Sequence, residues 1–159
     1  GHPAQSIGDD ESDFRDMVRS FFAAGSSLQE LYISPDKMKP AFWPILAEAA
    51  KWARENEEIL KDTHWVGGSP LNGEVYGFAS WSPAKSILML RNPSDRTVNF
   101  SLNLNHILEL PSGYDGTYRL VSPWRDDRNK SGITISSSMK TQIITLKPYE
   151  TQVYEVIMR

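Results

Sequence analysis

The chain contains no cysteine in 159 residues. Disulfides, thiolate nucleophiles and cysteine-ligated zinc are therefore excluded, although this absence does not fix a compartment. Histidine is scarce too: His2 near the start, His64 in a glycine-rich stretch and His106 in a short connection. No two of them have metal-ligand spacing on a helix, so neither a metal centre nor any other cofactor is expected. There is no Gly-rich phosphate loop and no Gly-x-Ser-x-Gly elbow. No apolar run approaches the roughly 18 residues of a membrane span. Nor is there a basic excess: 17 Lys and Arg against 20 Asp and Glu, a net charge of -3, offer no electrostatic grip on nucleic acid. The opening "GHPAQSIGDDES" is polar and does not read as a signal peptide. Gly1 is compatible with a cleavage scar, in which case the natural start and any leader lie upstream.

What is present divides into two periods. The composition, 40% hydrophobic and 23% charged, is that of a globular protein with a real core. Phe14, Met17, Val18, Phe21 and Phe22 recur three and four apart, which puts all five on one face of a helix. Asp9, Asp10, Glu11 and Asp13 crowd its start, and Gly25 is placed to end it. A short strand is expected over Leu28 to Ile33, closed by Ser34-Pro35. A long helix is expected over Pro44 to Leu60, with Ile45, Leu46, Ala49, Trp52, Ile59 and Leu60 in its stripe and a Glu57–Lys61 pair four apart.

After Asp62 the period falls to two. "DTHWVGGSPLNG" reads as a linker, by its glycines and proline. Strands are then expected over residues 74–81, 86–91, 97–104, 117–121, 132–136, 141–147 and 151–157. Ile87 to Leu90 is apolar on both faces and should lie centrally, whereas Val98, Phe100, Leu102 and Leu104 alternate with polar residues. The break Arg91-Asn92-Pro93-Ser94-Asp95 reads as a hairpin connection rather than a ligand grip. The fold class is thus mainly β: an antiparallel β-sandwich over 62–159, preceded by a helical segment over 1–61 with two helices and a short strand.

Candidate chemistry is sparse. Asp126 and Asp127, between Arg125 and Arg128, read as a solvated charged loop more than as a catalytic carboxylate pair. Glu30, inside the Leu28 to Ile33 strand, suits an ion pair. Among the aromatics, Trp124 in its loop, Trp65 and Tyr76 are the candidates for stacking on a sugar ring. Tyr76 and Phe78 share one strand face, with Val75, Ala79 and Trp81 on the other, an alternation that also suits core packing. Trp65, beside Gly67-Gly68, also suits a plug between the two halves.

The strings "LQELYISPDKM", "LAEAAKWARENEEILKDTHWVGG", "EVYGFASWSPAKSILMLRNPSD" and "LKPYETQVYEV" resemble the C-terminal part of bacterial α-galactosidase-like glycoside hydrolases of the Bacteroidetes type. Some members of that family carry an enterotoxin label, which says nothing of toxicity. The resemblance covers about residues 12 to 157. It implies the end of a (β/α)8 barrel followed by a β-sandwich, with the first helix covered by the barrel. Tyr32, Ile33 and Ser34 would then lie near the barrel rim. The family's paired catalytic aspartates belong to earlier strands, and no aspartate here matches them. The expectation is a non-catalytic structural C-terminal domain, not an enzyme by itself. Its expected partners are the catalytic barrel of the same chain, an oligosaccharide, or a second copy through self-association. Alternatives are a carbohydrate-binding module and a free-standing protein-interaction domain. The family also implies a periplasmic or secreted location.

Overall fold

In the computed structural model, which describes residues 11–26, 36, 38–108, 116–127, 130, 132–136 and 141–158, the change of period is a change of secondary structure. Helix α1 spans Glu11–Ala23 and buries Phe14, Val18 and Phe22, with Met17 and Phe21 at the edges of the same face. It ends in a Schellman motif: Ser26 N–H donates to Phe21 O and Gly25 N–H to Phe22 O, with Gly25 at φ +87°. A side chain there would also collide with Leu60 O, 2.7 Å from the position of a Cβ.

The expected helix over Pro44 to Leu60 is two helices. Helix α2 is Phe42–Glu55 and α3 is Glu57–Leu60. Pro44 sits in the first turn of α2, where its missing N–H is not needed, so the helix begins two residues ahead of it. Asn56 makes the break. It is buried, and its Nδ2 donates to Trp52 O at 2.8 Å. Lys61 pairs with Glu58 at 2.6 Å, three residues back, rather than with Glu57. The strand expected over Leu28 to Ile33, with Glu30, Tyr32 and Ser34, lies outside the described residues.

The presumed linker is a strand. Strand β1 is Thr63–Gly67 and pairs antiparallel with β2, Tyr76–Ser80. Thr, Trp and Val suit an extended chain, and the glycines mark where the strand stops. Gly67 has φ +86° and a Cβ there would fall 2.6 Å from Val75 O, so the turn requires glycine. The remaining strands are β3 (Lys85–Arg91), β4 (Val98–Leu102), β5 (Thr117–Val121), β6 (Ile133–Ser136), β7 (Gln142–Leu146) and β8 (Thr151–Met158). A one-turn helix α4, Leu104–Ile107, follows β4. The expected strands therefore recur with bounds shifted by a residue or two, and β5 is unchanged.

Six strands form one sheet in the order β1-β2-β3-β8-β5-β6, and β4 and β7 form a second. Strand β3 shows how the layers are held together. Its Leu88 and Leu90 face the second sheet, in a core with Leu102, Leu120, Leu146 and Val156. Its Ile87 and Met89 face the helices, in a second core with Phe14, Val18, Phe22 and Trp52. A strand buried on both faces needs an unbroken apolar run, which is what the sequence supplies. The first helix is thus not waiting for an outside cover. Its apolar face lies against α2 and the outer face of the six-stranded sheet, with Phe14 and Phe42 stacked 4.2 Å apart.

The expected hairpin at Arg91–Arg96 is instead a crossing between sheets, since β3 and β4 do not pair. Asn92 controls it. The residue is fully buried (0% exposed), and its Nδ2 donates to Arg96 O, Leu146 O and Lys147 O at 2.6, 3.3 and 3.0 Å. Its Oδ1 accepts from Ser94 N–H and Ser94 Oγ.

Candidate functional site

Arg15 and Arg19 stand four apart on α1, hence on one side of it. Arg19 Nη2 donates to Glu48 Oε1 of α2 at 3.3 Å and to Asp126 Oδ1 at 3.0 Å. Arg15 Nε lies 3.4 Å from Asp126 Oδ2. Asp126 belongs to a 3-10 turn, Arg125–Asp127, that follows β5. Glu48 also accepts from Arg125 N–H at 2.9 Å. This network fastens α1, α2 and the turn together. Asp126 is accordingly not a loosely solvated residue but the anchor of its loop.

Trp124 is buried in the same place. It was a candidate sugar platform because it lies in a loop, but it is only 3% exposed. The Arg19 guanidinium carbon lies 4.5 Å from its ring centre, and Trp52 meets it edge to face at 5.2 Å. No ring face is left for a sugar. Trp52 Nε1 in turn donates to Glu155 Oε1 at 3.2 Å, and Glu155 pairs with Lys85 at 2.8 Å. The seam between helices and sheet therefore carries both apolar packing and a chain of charged bonds.

Trp65 and Tyr76 do come together. Across the β1–β2 pair, Tyr76 faces Gly67, and the missing side chain leaves room for the Trp65 ring to lean over it. The two rings are parallel to within 8°, with centroids 5.0 Å apart, and Phe78 meets Trp65 edge-on. Trp65 is 49% exposed. It lies on the surface of the sheet and plugs no joint. Trp81 is half-exposed as well: β2 ends at Ser80, so Trp81 escapes the alternation that buries Ala79. Tyr32 and Ser34, the proposed barrel-rim positions, lie outside the described residues.

Two carboxylates are perturbed in opposite directions. Asp16, on α1, accepts from Thr151 N–H at 3.3 Å. Burial outweighs that bond and the nearby arginines, and pushes its carboxyl up to about 6. For Asp127, burial pushes upward but is exceeded by hydrogen bonds from Lys130 and Ser122, and the carboxyl is held below its ordinary value. His64 Nε2 lies 2.8 Å from Ile107 O. Among the described residues no group of three or more potential ligands could hold a metal ion.

The sequence pattern did not single out Arg19, Asp16 or Glu48. A signal was present for Arg19, a charge one residue after Val18 in the midst of an apolar helical stripe. Asn92 carried only the look of a turn residue.

No family model matches the chain, and no curated protein matches it. Among solved structures, α-galactosidase I from Mortierella vinacea superposes with a TM-score of 0.61 at 11% identity, over 92% of this chain and 36% of that one. A Bacillus halodurans protein proposed as an α-N-acetylgalactosaminidase gives 0.59 at 13% identity, over 92% and 32%. A Bacteroides fragilis protein proposed as an α-galactosidase gives 0.52 at 16% identity, over 92% and 29%. At such identities the likeness is one of fold. The chain spans about a third of the length of these glycoside hydrolase structures.

Proposed function

We propose that this chain is the non-catalytic C-terminal part of a longer glycoside hydrolase, where it supports the catalytic domain. The observation that carries the reading is the superposition of nearly the whole chain on about a third of α-galactosidase-type structures. The residues agree with it: Asp126, Glu48, Asp127 and Glu155 are all engaged by basic, amide or indole partners, as structural carboxylates are. A glycosidase needs instead two carboxyls flanking an open substrate site. In this reading α1 and α2 continue the barrel, and the sandwich is fixed to its end through the seam around Arg19. Export to the periplasm or medium would follow from such a parent.

The test has two arms. The chain alone is assayed against nitrophenyl α-galactoside and α-N-acetylgalactosaminide, and the reading frame upstream is sequenced. The expected results are no hydrolysis above buffer and an upstream barrel carrying two strand-end aspartates. Turnover abolished by replacing one carboxylate of this chain would overturn the reading. So would a start codon adjacent to His2.

A further inference from the structure

A cavity of about 560 Å³ opens where the start of α1, the turn after β5 and the β7–β8 turn meet. That size lies within the roughly 300–1,000 Å³ of small-molecule sites. Among the described residues, basic and acidic side chains line it in equal number. Most are already committed to each other: Arg15 and Arg19 to Asp126, and Lys130 to Asp127 at 2.8 Å. Glu150 Oε1 accepts from Lys147 N–H and from the Gln152 amide.

Asp16 is different. Its Oδ2 accepts the Thr151 N–H, and among the described residues no second donor reaches the carboxylate. The carboxyl borders the cavity half-buried and short of donors, which is why burial dominates its titration. Lys130 has the opposite imbalance. Its ammonium has three N–H bonds and, among the described residues, gives one to Asp127.

A bound anion would meet Asp16, Asp127 and Glu150, and a bound cation would meet Arg15, Arg19 and Lys130. A hydroxyl suits both imbalances, because it donates one hydrogen bond and accepts others. Ile133 and Pro148 supply apolar wall for the C–H faces of a ring. We propose that this cavity binds a neutral polyhydroxylated ligand, one or two sugar rings, with Asp16 accepting from one hydroxyl and Lys130 donating to a neighbouring one. The site is built from this chain's residues alone, so it stands or falls separately from the reading as part of a longer hydrolase.

The experiment is a titration of the ¹⁵N-labelled chain with methyl α-D-galactopyranoside and methyl α-D-glucopyranoside, followed by amide shifts. Galacturonate and galactosamine serve as charged counterparts. Saturable shifts at Thr151, Gln152 and Gly132 are expected with at least one neutral sugar. Asp16→Ala should weaken binding about tenfold, the loss of one hydrogen bond to a charged group. Lys130→Gln, on a side chain too exposed to govern folding, should weaken it as well. Trp65→Ala should leave it unchanged. Three results would overturn the proposal: no saturable shift at these amides with either neutral sugar, shifts confined to the Trp65–Tyr76 surface, or tighter binding of a charged sugar than of its neutral counterpart.

Discussion

The Arg19 guanidinium lies over the Trp124 indole, 4.5 Å from ring centre to carbon, and so draws the turn after β5 into the helical core. Arg19 is nearly buried and shares its charge between Glu48 and Asp126. Replacing it with methionine keeps the stem's packing and takes one partner from each of two carboxylates. Breaking a buried pair on one side typically costs 3–5 kcal/mol. Because Asp126 is partly exposed and keeps Arg15, a loss of about 2 kcal/mol is expected in urea denaturation. Arg19→Lys should recover only part of it, since an ammonium cannot span both acids and stack on the indole. An unchanged midpoint for Arg19→Met would show that the seam contributes nothing to stability.

Asn92→Ala removes the donor shared by three carbonyls and the acceptor of Ser94. Leu146 O stays buried and the carbonyls of Arg96 and Lys147 are partly so, and a loss of about 2 kcal/mol is expected. Asn92→Asp should be no milder, because it turns an oxygen toward the same carbonyls. Asp95→Ala, on an exposed side chain, should stay within about 0.5 kcal/mol. Thermal melts of the three variants test the ranking, and a large effect of Asp95→Ala would reverse it.

The raised Asp16 carboxyl gives stability a defined pH slope. Between its ordinary value of 3.8 and about 6, the folded chain retains a proton that the unfolded chain has released. Stability from this group therefore falls as pH rises through that window and is flat above it. Asp16→Asn cancels the slope. It should match the parent near pH 4 and exceed it near pH 7.5 by about 1 kcal/mol, a figure reduced for the partial exposure of the group. A variant less stable than the parent at pH 7.5 would contradict the assignment.

Tryptophan fluorescence separates the exposed rings from the core. Trp43, Trp65 and Trp81 are half-exposed, whereas Trp52 and Trp124 are buried. Acrylamide should quench one population and spare the other. Trp65→Phe should remove quenchable emission, and Trp124→Phe should remove protected emission. Equal quenching in both variants would show that Trp124 is open to solvent after all.

The elements that repeat locally were legible in the sequence. The stripe of α1, the doubly apolar β3 and the bounds of β5 follow from spacing within a few residues. Features that depend on remote partners were not. Asn92 looked like part of a hairpin because its bonds to Leu146 and Lys147 arrive from 54 and 55 residues away. Trp124 looked accessible because Arg19, which covers it, belongs to the first helix. Strand β1 was hidden by the glycines that end it. The cavity beside Asp16 has no motif at all, since α1, the turn after β5 and the β7–β8 turn reach it from three separate parts of the chain.

Strand β8, the last of the eight described strands in chain order, lies inside the six-stranded sheet, between β3 and β5. During synthesis the sheet therefore exists as two unjoined pieces, β1-β2-β3 and β5-β6, until Thr151–Met158 leaves the ribosome and slides between them. Pairings of such long sequence separation form slowly and expose strand edges meanwhile. Ribosome-held chains arrested before Thr151 should be cut readily by protease along β3 and β5, and protection should arrive in one step once β8 has emerged. Completion of this sheet is thus tied to the emergence of a single strand, β8.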